Sequence, residues 1–154
     1  MTANVNAIIL RWVELLQAAT EEEYPAIYGV GDGNIVFGRV THDETLVDAN
    51  RMILVSPENE LTTAHTIDQY QNRLEVRFEV VFKEFQDDRF EDMVEVVEEL
   101  KKMIKANYHL ETSEGVEIGT AVSPEIQTRY GALDMGGSVY IAIVTAVWEW
   151  YTAF

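Results

Sequence analysis

The clearest alternation of apolar and polar positions lies in residues 74–108. Through LEVRFEVVFKEF, Leu74, Val76, Phe78, Val80 and Phe82 alternate with Glu75, Arg77 and Glu79. A repeat of two predicts a strand with one buried face and one wet face. After Asp87 and Asp88 the repeat changes. Phe90, Met93, Val94, Val97, Leu100, Met103 and Ile104 recur at three- and four-residue spacing, which draws one apolar stripe down a helix. Asp88 with Glu91 reads as an Asp version of the capping box. Glu91 and Asp92 fall at the positive end of this helix, and Lys101, Lys102 and Lys105 at the negative end, the order that the helix dipole favours.

Upstream, Val5, Ile8, Ile9, Trp12, Val13 and Leu16 form a second stripe within residues 4–19, predicting a helix capped by Asn4 or Thr2. Residues 20–24 form an acidic exit, and Pro25 stops any continuation. Short strands and turns are expected over residues 26–40, with a tight turn at Gly31-Asp32-Gly33-Asn34 and a strand at 35–40. Gly29, Gly31 and Gly33 fit neither the dinucleotide fingerprint nor the Walker spacing, so they read as turn glycines. Residues 51–55 predict another strand, closed by Ser56-Pro57. Glu58 to Asn72 is polar with no sustained period and reads as a long loop, a kind that is commonly functional.

Downstream, residues 109–116 predict a turn centred on Glu114-Gly115. Strands follow at 116–122 and 126–130, interrupted by Ser123-Pro124, which suits a bulge or an edge. Residues 131–137 (GALDMGG) read as a turn. Residues 139–151 (VYIAIVTAVWEWY) predict a long strand, apolar on both faces and therefore central in its sheet. Adjacent strands imply antiparallel pairing. The expected fold class is α+β, a mostly antiparallel sheet with two helices packed on one face. No repeat or linker divides the 154 residues, a length that suits a single domain.

Composition narrows the function classes. The longest apolar run is too short for a membrane span, and the first residues lack the basic region and cleavage site of a secretory signal. The absence of cysteine excludes disulfides, thiolate nucleophiles and Cys-built zinc sites. Twenty-seven acids against eleven bases give a formal net charge of −16. A chain with that balance lacks the basic surface that phosphate contacts need, and anionic membranes are disfavoured for the same reason. Two explanations of the acidity stay open: a solvated surface suited to a salt-rich cytoplasm, where lysine is scarce, or a surface that must face DNA without adhering to it.

Catalytic chemistry finds little footing. His42, His65 and His109 stand in no metal-ligand spacing, and His42-Asp43-Glu44 reads as an exposed polar turn. No GxSxG elbow positions a serine. Glu21-Glu22-Glu23 and Glu98-Glu99 read as solvated helix surface rather than a glycosidase pair. No catalytic residue, metal ligand or cofactor is therefore assigned, and the chain is expected not to be an enzyme. Trp148, Trp150, Tyr151 and Phe154 crowd the carboxyl end. Ordinary core and a subunit interface are both open readings for them, since Trp and Tyr are favoured anchors in subunit contacts.

Four stretches, residues 5–16, 74–85, 90–104 and 136–151, carry a further likeness. An amphipathic first helix, a long middle loop, an alternating strand running into a helix and a final Gly-Gly-x-hydrophobic strand resemble the tail-terminator and tail-completion proteins of long-tailed, siphovirus-like viruses. The resemblance implies a single tail-terminator-like domain over residues 1–154 that forms a ring, usually a hexamer. Such a ring sits at the head–tail junction of the virion, caps the tail tube and meets the head connector proteins. Its work is done by shape and interfaces, and DNA passes the lumen without specific binding. Assembly in the host cytoplasm, a virion location and no membrane partner follow. The interface would draw on Tyr70, Gln71 and Arg73 at the end of the long loop and on Trp148, Trp150, Tyr151 and Phe154. The acidity would suit a virus of salt-loving hosts. Alternatives are another neck or tail-tube component, and a monomeric domain with a small-ligand pocket between sheet and helices.

Overall fold

The computed structural model describes residues 4–38, 50–83, 89–121, 126–134 and 138–153. The Asp88 cap, the His42–Glu44 turn, the Ser123-Pro124 interruption and Phe154 lie outside the described residues. Helix α1 spans Val5–Gln17, and the Asn4 side chain accepts the Ala7 N–H at 2.8 Å, so Asn4 is the cap. Its buried face is Ala7, Ile8, Ile9, Trp12, Val13 and Leu16. Helix α3 spans Arg89–Ala106 and buries Met93, Val96, Val97, Leu100, Met103 and Ile104. Phe90 lies outside this stripe and is exposed, its ring 5.9 Å from that of Tyr130 and 6.0 Å from that of Tyr140.

Between these helices the structure departs from the expected strands and turns. Pro25 starts a short helix, α2 (Pro25–Val30), because proline at the first helical position loses only an N–H that has no intrahelical acceptor. The orphan donors that remain are met from a distance. The Glu99 carboxylate of α3 accepts the Ala26 N–H at 2.9 Å and the Ile27 N–H at 3.1 Å. Glu99 is thus a cap rather than free surface. One turn of 3-10 helix (Asp32–Asn34) then leads into strand β1 (Ile35–Phe37).

The remaining strands are β2 (Arg51–Ala64), β3 (Gln69–Lys83), β4 (His109–Glu111), β5 (Glu117–Ala121), β6 (Gln127–Asp134) and β7 (Ser138–Ala153). They form one sheet of order β1-β2-β3-β7-β5-β4, with β6 also pairing β7. All pairs are antiparallel except β1 with β2. The turn expected over residues 131–137 is partly strand, since β6 runs to Asp134. The fold is α+β, with α2 as a third helix beside the two expected.

All three helices pack on one face of the sheet. Their buried residues share a cluster with Ile53, Val55, Leu74, Val76, Phe78, Val80, Phe82, Ala142, Val144, Ala146, Trp148 and Trp150. Trp12 stands edge-on to Phe78 at 5.2 Å and tilted against Trp148 at 5.1 Å, pairs that each contribute about 0.5–1.5 kcal/mol beyond area burial. At Gly119 an added Cβ would lie 3.4 Å from Trp148 Cβ, so glycine lets β5 close on the tryptophan.

The opposite face carries a smaller cluster of Met52, Leu54, Val81, Val139 and Ile141, flanked by Val36 and Ile143. This explains why β7 is apolar on both sides. It also changes the reading of Glu79, expected on a wet face. Glu79 is 0% exposed and meets the Arg77 guanidinium at 2.8 Å. A carboxylate withdrawn from water in this way depends on a charged hydrogen-bonding partner.

Candidate functional site

The residues read as a long loop, Glu58 to Asn72, are the outer half of a β-hairpin. β2 continues to Ala64, β3 begins at Gln69, and the ladder runs without a break from Asn59↔Glu75 to Ala64↔Tyr70. The sequence lacks a period there because neither face is covered: residues 58–70 are exposed throughout. Alternation records burial, and a strand wet on both faces leaves none to read. The ladder is held from the other side, where β7 pairs with β3 along the whole of β3, from Gln69↔Ala153 to Lys83↔Val139.

The result is a three-stranded arm, β2-β3-β7, projecting past the helix layer. Its turn closes where Gln69 O accepts the His65 N–H at 2.9 Å, and Thr66 donates its hydroxyl to Asp68 at 2.8 Å. At the base, Asn72 is buried. It accepts from the Thr62 hydroxyl at 3.0 Å and donates to the Thr152 hydroxyl at 3.0 Å and to Trp150 O at 3.4 Å, fastening all three strands. A bulge between Pro57 and Asn59 marks where the arm leaves the sheet.

The arm gathers apolar side chains into water. Ile67 at the tip is 95% exposed, Leu61 is 54% exposed, and Tyr70 and Tyr151 are also exposed. On one face, Gln71 donates to Glu149 at 2.8 Å, Arg73 lies 3.6 Å from the same carboxylate, and His65 packs its ring 4.9 Å from that of Tyr151. Lower on that face, Arg77 reaches Glu58 at 3.1 Å as well as Glu79.

Among the residues expected at an interface, Gln71, Arg73 and Tyr151 therefore come together on one face of the arm, and Tyr70 points from the other. Trp148 and Trp150 do not join them. They are 0% and 8% exposed on the helix face, and the Trp148 indole N–H donates to Asn107 O at 3.3 Å. Of the two readings open for the tryptophans, core is the one observed, and exposed anchors are corrected. Strand parity decides this: Trp148 and Trp150 share the inward face with Val144 and Ala146, while Tyr151 faces out. Ile67 and Leu61 escaped notice in the sequence, although Ile67 is the lone aliphatic side chain in HTIDQ between polar neighbours.

The described bases are largely committed to carboxylates: Arg11 to Glu14, Arg51 to Asp92, Arg73 to Glu149, Arg77 to Glu58 and Glu79, and Lys101 to Glu98. The excess acids consequently dominate the surface field. Among the described residues no group of three His, Asp or Glu is placed to hold a metal ion, and no helix is long and apolar enough to cross a membrane.

No protein-family model and no curated protein matches this sequence. A solved structure does. A chain from the virion of a native gene transfer agent particle superposes with a TM-score of 0.52 at 11% identity, covering 94% of this chain and 97% of that one. The two chains share a fold.

Proposed function

We propose that this chain is a structural protein of a virion that forms a ring at the head–tail junction, capping the tail tube and letting DNA pass. The end-to-end likeness to a chain of a virion particle carries this reading. The arm supports it. Ile67, Leu61, Tyr70 and Tyr151, exposed on one ribbon, offer apolar surface to a neighbour. The charge supports it too, since a lumen with a net excess of carboxylates repels phosphates and lets the genome slide. The ring is taken as a hexamer between the tail-tube protein and the head connector. It acts by shape and interfaces, without catalysis, inside the virion after assembly in the host cytoplasm. Negative-stain electron microscopy of the purified protein, at low and at molar salt, tests this directly. Annular particles with an open centre are expected, and they should decorate one end of added tail tubes. Isolated small particles at every salt concentration, with no affinity for tubes, would overturn it.

A further inference from the structure

Resting on the ring reading, we propose that neighbouring copies join edge to edge through the arm, residues 59–64 of β2 in one copy pairing with residues 150–153 of β7 in the next.

Among the described residues the arm is a ribbon with two unpaired edges. Its middle strand, β3, is paired on both flanks. The outer edge of β2 is paired by β1 only at Ile53, Leu54 and Val55, and among the described residues no strand covers it from Asn59 to Ala64. The outer edge of β7 is paired by β6 up to Thr145 and by β5 at Trp148 and Glu149, and among the described residues no strand pairs it from Trp150 to Ala153. Open edges template pairing with another chain unless lysine, proline or short length blunts them. The segments here, NELTTA and WYTA, contain neither lysine nor proline. They are strand-forming and exposed except at Trp150 and Thr152, and the occupant that an open edge accepts is another strand.

The two edges are unlike, on opposite sides of the ribbon, and level with each other. The register aligns Thr62 with Asn72 and Trp150, Thr63 with Gln71 and Tyr151, and Ala64 with Tyr70 and Thr152. A contact between unlike surfaces is head-to-tail, and such contacts close into rings when the rotation closes. Edges at one height add copies without rise, so the array is flat rather than helical. β2 and β7 are each antiparallel to β3 and so run in the same direction. A copy brought alongside by rotation about the strand direction therefore pairs in parallel register. Leu61 and Tyr151 stand on the same face beside these edges and become covered when the ladders join. A second copy satisfies both edges at once in every subunit of the ring, which a foreign peptide on one edge does not.

The chain has no cysteine, so introduced thiols report this contact cleanly. Thr63→Cys with Tyr151→Cys places two thiols on one face at one level. Within a chain they sit two strand spacings apart, about 9.6 Å, beyond disulfide reach; across the joined edges they are one spacing apart, about 4.8 Å, and within it. Oxidation of the double variant is expected to give covalent multimers up to the mass of the ring, and neither single variant links. Leu61→Lys, an edge guard on an exposed position, is expected to abolish the ring while leaving the single chain folded, with its far-UV circular dichroism unchanged. Rings that form without cross-links would overturn edge pairing while leaving the ring intact. A chain that forms no ring at all overturns both. Dimers linked in a single variant would mean two-fold pairing of like edges, and links only to an added tail-tube protein would hand the edge to a different occupant; each contradicts the proposal.

Discussion

Asn72 lies at the point where the arm meets the core, and its side chain bonds to Thr62, Trp150 and Thr152 at once. Asn72→Leu leaves those groups without the amide, a cost of about 1–3 kcal/mol in urea unfolding. An unchanged midpoint would show that the arm does not depend on this amide. Glu117 is a second residue with a definite expectation. The Thr120 hydroxyl donates to its carboxylate and His109 Nδ1 lies 3.5 Å away, and together they hold the carboxyl below its ordinary range, the Thr120 bond contributing most. A lowered folded value means stability that is present above the unfolded pKa and fades as pH falls through the folded one, so the β4–β5 turn loosens in acid. In an NMR titration Glu117 should titrate below the ordinary glutamate range, and Thr120→Val should move it back up. An ordinary glutamate value for Glu117 in the parent protein would contradict this account.

Among the elements, α1 and α3 were legible because each buries a stripe at helical spacing and carries its own charge or cap signals. Even so, the stripe of α3 runs through Val96 rather than Val94 and Phe90, a rotation that the sequence could not settle because all three are apolar. α2 was hidden for a different reason. It has six residues, and the group that satisfies its first N–H donors is Glu99, 73 positions away. No local window contains that cap. Glu99→Ala is expected to cost about 1 kcal/mol, as loss of a helix cap does, and to raise hydrogen exchange at Ala26 and Ile27. Protection unchanged at both amides would show that the carboxylate is not their acceptor in solution. The arm was hidden because strand periodicity reports a covered face, and residues 58–70 have none. What revealed it was the pairing of β3 with β7, a contact far apart along the chain.

The whole molecule separates a packed body, where helices and sheet bury Trp12, Phe78 and Trp148, from an arm that buries almost nothing of its own. The division predicts that body and arm respond differently to substitution. Trp148→Ala should cost about 3–5 kcal/mol, as removal of a core tryptophan does, whether or not the chain is assembled. Ile67→Asp, at a position 95% exposed, should leave the unfolding midpoint of the lone chain within about 0.5 kcal/mol and abolish association. The order of strands and helices along the chain anticipated an α+β sheet. It could not choose which carboxyl-end aromatics face outward, since that depends on the parity of β7 relative to the helices. The measurement that bears most directly on the central claim is native mass spectrometry of the parent chain beside Ile67→Asp. The parent should appear as one discrete oligomer, a whole multiple of 17.5 kDa, and the variant as a single chain of nearly that mass. A parent found only at 17.5 kDa, or a variant that assembles as fully as the parent, would contradict the account.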